Sequence, residues 1–129
     1  MNFDIKKSLE ELEDTIFKPS DFESNLILKC QELMKKKLKD YSVEDLRVMI
    51  GQEIGLKYLV PLALDTLMEN PFVSGDFYNG DLLTNVLRVD KQFWKQNEDL
   101  LFELNEIIAT VKITINTVLP LLEDYESPS

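Results

Sequence analysis

The stretch Asn97–Leu122, NEDLLFELNEIIATVKITINTVLPLL, decides between a helical and a strand-containing fold. Leu101, Leu104, Ile108, Val111, Ile115, Val118 and Leu122 alternate three and four apart, which is the seam of a long amphipathic helix. Within it, Val111–Val118 also alternates at period two and is rich in β-branched residues, so a strand there is the competing reading. Pro120 is expected to kink or fray the end, with 126–129 trailing as a disordered tail.

Upstream, Leu56–Met68 is apolar on nearly every side and reads as the central helix of the core, with Pro61 in its first turn or at a kink. Ser42-Val-Glu-Asp45 is a capping signature that opens a helix with Val43, Leu46 and Ile50 facing inward, and Gly51 and Gly55 loosen its end. A second such signature, Ser20-Asp-Phe-Glu23, opens a helix that places Phe22, Leu26, Cys30 and Leu33 on one side. That helix runs into Lys35-Lys36-Lys37, which reads as a solvated basic end. Ile5, Leu9, Leu12 and Ile16 trace one helical face across Asp4–Phe17, which Pro19 terminates. The clear loop is Phe72–Gly80, FVSGDFYNG, after which Asp81 is placed to cap a short helix; Asp90 and Asn97 offer further caps. Four glycines and five prolines in 129 residues are too few for a turn-rich β architecture. The expectation is an all-α fold, a single compact bundle of about six helices over 1–125 with a long C-terminal helix.

The chain has no histidine and one cysteine. The commonest general base is therefore missing, together with Ser-His-Asp and Cys-His nucleophilic arrangements and the usual zinc sites. Cys30 reads as a small buried hydrophobe. Gly75 and Gly80 match the glycine spacing of a phosphate-binding loop, but Asp81 stands where that loop needs lysine and would repel the phosphate. Asp76–Asp81 departs from the calcium-loop series and lacks its closing acid. No catalytic, cofactor-binding or metal-ligating residue is expected. A carboxylate-based hydrolase is a distant alternative.

Net charge is −10, from 24 acids against 14 bases, which disfavours nucleic acid and anionic lipid and suits a partner with a positive working surface. Solubility is the plainer use of that excess. The charged, h-region-free start and the absence of a long apolar run point to the cytoplasm. Between Lys57 and Arg88 there are four acids and no base. Asp76, Tyr78 and Asp81, with Glu53, Asp65 and Glu69 nearby in sequence, combine acid and aromatic character beside glycine turns, as interfaces do. The competing reading makes Phe72, Phe77 and Tyr78 anchors that fasten the loop to the core.

An ordered series runs from Leu46-Arg47 through Ile50-Gly51-Gln52, Gly55-Leu56, Tyr58–Leu64, Asn70-Pro71 and Gly75–Tyr78 to Gly80-Asp81-Leu82-Leu83 and Val86-Leu87. Over roughly residues 28–95 it resembles a helical family of immunity proteins of bacterial contact-dependent growth inhibition systems. The resemblance implies a cytoplasmic, non-enzymatic inhibitor. It would bind the C-terminal toxin domain of a CdiA-type exoprotein, expected one to one, and cover its active site or substrate surface. Many such toxins are nucleases with positive channels, for which an acidic inhibitor stands in for phosphate. It also implies structural roles for Gly55, Pro61, Gly75 and Gly80. A small helical adaptor that dimerises through the C-terminal helix is the alternative from another class.

Overall fold

The computed structural model describes residues 2–14 and 24–128. Among these, seven α-helices follow one another: α1 Leu9–Glu13, α2 Asn25–Lys35, α3 Val43–Gly51, α4 Leu56–Glu69, α5 Asp81–Leu87, α6 Lys91–Gln96 and α7 Glu98–Asp124. A 3-10 turn, Leu38–Asp40, links α2 to α3, and no strand is formed by the described residues. The fold is all-α, with the long C-terminal helix expected from its seam.

α4 is the hub. It packs against α3, α5 and α7, and its Leu59, Val60, Ala63, Leu64 and Leu67 are fully buried. These positions cover a broad stripe at helical spacing, and burying five such side chains contributes on the order of 10 kcal/mol before opposing costs. Met49 and Ile50 of α3, Leu82 and Val86 of α5, and Leu104 and Ile107 of α7 close the core around it. Cys30 of α2 is buried too, and burial pushes its thiol above the ordinary value. Pro61 lies in the second turn of α4, not the first, and the helix runs through it.

The cap at Ser42 forms as read: its hydroxyl accepts the Asp45 N–H at 3.1 Å, and Asp45 accepts the Ser42 N–H at 3.0 Å. Asp45 is 3% exposed and also receives Lys36 Nζ at 2.7 Å, so one member of the solvent-facing basic cluster is also tied to the α3 cap. Burial would raise the Asp45 pKa, but the bonds from Lys36 and Ser42 outweigh it and hold the carboxyl below its usual range.

The N-terminal helix is much shorter than its apolar spacing suggests. Backbone groups of Ile5 and Lys7 accept from Lys39 and Leu38 at 2.8 and 3.0 Å, which keeps residues 5–7 out of a helix. Ser8 and Glu11 then form a capping box, and Asp14 ends the helix in a left-handed conformation. Ile16, Pro19, Phe22 and the Ser20–Glu23 signature lie outside the described residues; α2 is capped by Ser24.

Val111–Val118 is helical, which settles the strand alternative. α7 continues past Pro120 to Asp124. Every side chain from Lys112 to Pro128 is exposed, so the carbonyl of Asn116, which loses its partner at proline, belongs to a solvated part of the helix.

Candidate functional site

The chain from Phe72 to Gly80 leaves α4, bends back on itself through a single bridge between Ser74 and Asn79, and enters α5. Gly80 supplies the cap position at φ +93, a conformation a side chain would strain. Asp81 is therefore not the cap. It is the first helical residue, 2% exposed, and its carboxylate turns back under the loop. There it accepts the N–H groups of Gly75 at 2.6 Å, Phe77 at 3.1 Å and Tyr78 at 3.4 Å.

Glu44 of α3 completes this arrangement by accepting the Asp76 N–H at 3.0 Å. Four consecutive loop N–H groups, from Gly75 to Tyr78, thus end on two carboxylates. Arg47 grips Glu44 through two bonds of 2.6 Å and lies 3.9 Å from Asp81. The Glu44 pKa is lowered, chiefly by its bond to Arg47. For Asp81, burial works upward, and the backbone N–H bonds outweigh it to hold the carboxyl ionised. Gly75 is required for a different reason: an added Cβ would meet Glu44 Oε1 at 2.6 Å and Asp81 Oδ2 at 3.0 Å.

What this holding presents is the outer side of the loop. Phe77 is 70% exposed and Tyr78 53%, with Asp76 exposed beside them. The loop is fastened by the two carboxylates and by partly buried Val73, while one face of the Phe77 ring rests against Arg47. A shallow cleft of about 330 Å³ opens next to Phe77, lined by Arg47, Val48 and Gln52 of the α3 region, Leu26 of α2 and Asn85 of α5.

The other acids grouped with the loop in the sequence lie elsewhere. Glu53 occupies the turn after α3, in a left-handed conformation at φ 56, and accepts the Asp90 N–H at 2.8 Å. Asp65 and Glu69 are exposed one turn apart on α4. Asp65 lines a larger groove, about 750 Å³, together with Lys57, Tyr58, Leu100 and Glu103, and this groove shares no residue with the loop. Gly55 caps α4 at φ +65, and a Cβ there would meet Leu9 Cδ1 at 2.7 Å; Pro61 lines the larger groove. Glu44 and Arg47 are the site residues that sequence spacing did not single out. Their roles come from contacts with segments about thirty residues away, which no local pattern records.

Among the described residues, no group of three or more His, Cys, Asp or Glu is arranged to hold a metal ion, and no helix is long and apolar enough to cross a membrane. Comparison with curated proteins and with solved structures finds no significant match. A family model of CDI immunity proteins does match, over residues 10–104. That span is wider than the ordered series read from the sequence, and it takes in α1 to α6 and the first quarter of α7. The chain therefore belongs to the CDI immunity proteins, whose role is to neutralise a toxin of contact-dependent growth inhibition.

Proposed function

We propose that this chain silences a nuclease-type toxin, the C-terminal domain of a CdiA-type exoprotein, in the cytoplasm as a one-to-one complex without catalysing a reaction. The loop bearing Asp76, Phe77 and Tyr78 is laid on the positive surface that the toxin uses for its substrate.

The observation that carries this reading is two exposed aromatics on a backbone held at four successive N–H groups by Glu44 and Asp81. Aromatic side chains on a preorganised backbone lose little entropy on binding and are favoured at the energetic centre of interfaces. Glu44, Asp81 and Gly75 act as positioning residues. Asp76 supplies contact charge, while Glu53, Asp65 and Glu69 add to the negative field of a −10 chain that draws in a cationic partner. A standard interface of about 1,600 Å² reaches beyond the loop to the cleft beside Phe77.

The test is binding kinetics of the purified chain with the toxin domain encoded beside it, together with growth rescue on co-expression. Phe77→Ala and Tyr78→Ala are expected to speed dissociation at least tenfold. Asp76→Lys should slow association, with the effect fading as salt is added. Unchanged kinetics in all three variants would move the interface off the loop. A wild-type chain that neither binds nor rescues would end the toxin assignment itself.

A further inference from the structure

α7 is 27 residues long, but its core contacts stop early. Leu104 and Ile107 are buried and Leu100, Leu101, Ile108 and Val111 are partly so, and these residues form one stripe at helical spacing. The same stripe continues through Ile115, Val118, Leu119, Leu122 and Tyr125, which are 40–68% exposed. Between Lys112 and Glu123 there is no charged residue, in a chain that is 29% charged. The projecting part of the helix is about 20 Å long. Pro120 lies on the far side of the helix from Val118 and Leu122, so it does not interrupt the stripe.

We propose that this segment pairs antiparallel with the same segment of a second copy of the chain. Charge selects both the occupant and the direction. Lys112 and Glu123 are separated by about three full turns and so flank the stripe on one side. Antiparallel pairing brings residues of the same flank together, which sets each Lys112 beside Glu123 of the other copy at both ends of the pair. Parallel pairing would instead set this flank against the opposite flank of the other copy, so that Lys112 and Glu123 find no such partners. A cationic toxin surface finds no charge to engage along the intervening segment, whereas a three-four seam is the pattern another helix accepts. The arrangement is a two-fold, self-complementary contact. Its size falls at the low end for specific interfaces, so association in the micromolar range is expected. This proposal does not depend on where the toxin binds.

Sedimentation equilibrium of the full chain without toxin tests it. Mass should rise from the 15.0 kDa monomer towards twice that value across the micromolar range. Val118→Asp and Leu122→Asp change side chains that are exposed in the monomer. They should leave the helicity and melting of the dilute monomer unaltered while weakening association at least tenfold. Lys112→Glu and Glu123→Lys should each weaken it, and the double exchange should restore it. A chain that stays monomeric throughout overturns the proposal. Single charge variants that associate as well as the wild type overturn the antiparallel register. Stripe variants that keep their self-association but lose the toxin reassign the stripe to the toxin.

Discussion

The Arg47 guanidinium lies 4.3 Å from the ring centre of Phe77 while its edge is held by both oxygens of Glu44. One cation thereby joins a helix surface, half-buried Glu44 beside buried Asp81, and the most exposed aromatic of the loop. A cation over an aromatic face contributes about 0.5–1 kcal/mol at exposed sites. Arg47→Lys should keep the charge but lose the two-pronged grip and the planar stack. The expected outcome is a melting temperature lower by a few degrees and weaker toxin binding, measured by calorimetry and kinetic titration. Binding equal to wild type would show that the stack does not orient Phe77 for its partner.

Gly75→Ala drives a methyl group against Glu44 Oε1 and Asp81 Oδ2, neither of which is a free chain end. Overpacking of this kind costs about 1–3 kcal/mol. Denaturant unfolding should show that loss, and amide exchange at residues 75–78 should quicken more than in α4. Unaltered exchange at those four amides would mean that the acids do not control the loop.

Acid should unfold this protein through a small set of carboxyls. Glu44, Asp45 and Asp81 all have folded-state pKa values below their ordinary ones. A depressed folded pKa means that the unfolded chain binds the proton more readily, so the stabilisation is fully present above about pH 5. It is then lost as pH falls through about 4 towards the folded values. Asp81→Asn should flatten that acid limb and also cost about 1–3 kcal/mol at neutral pH, because an amide offers one acceptor oxygen where three N–H groups converge. A pH profile of stability that is identical in wild type and variant would contradict the assignment.

Gly55 and Leu9 define a close approach between the start of α4 and α1. Gly55→Ala adds a methyl group 2.7 Å from Leu9 Cδ1 at a backbone angle that disfavours side chains, and should cost at least about 1 kcal/mol. Leu9→Ala removes a fully buried side chain at about 2–5 kcal/mol. The double variant should lose less than the two losses added together, since the cavity relieves the clash. Strict additivity in denaturant titrations would show that backbone strain alone sets the cost.

Elements whose signals are local were readable from residues alone. The seam from Leu101 to Leu122 and the all-round apolarity of Leu56–Met68 foretold α7 and α4, and Ser42 and Asp45 foretold the start of α3. Where long-range pairing competes with local spacing, the reading fell short. Ile5 and Leu9 have helical spacing, yet the backbone of residues 5–7 is engaged by residues 38 and 39. At Asp81 the difficulty is chemical. An acid at a helix start serves equally as cap, contact or inward acceptor, and only the approach of Gly75 and Phe77 decides among them. Asp76 and Tyr78 lie together on the surface, while Glu53, Asp65 and Glu69 are set apart from them by the path of the chain, which sequence proximity cannot convey.

Cys30, the chain's single thiol, is 3% exposed on α2. A reagent in solution reaches that sulfur only when α2 lifts from the elements packed on it, α1 and α3, so the pace of alkylation counts openings of the fold. The wild-type polypeptide therefore carries its own stopwatch for unfolding. Seating a toxin on the molecule should slow that stopwatch in proportion to how tightly it is held, with no label or engineered residue required.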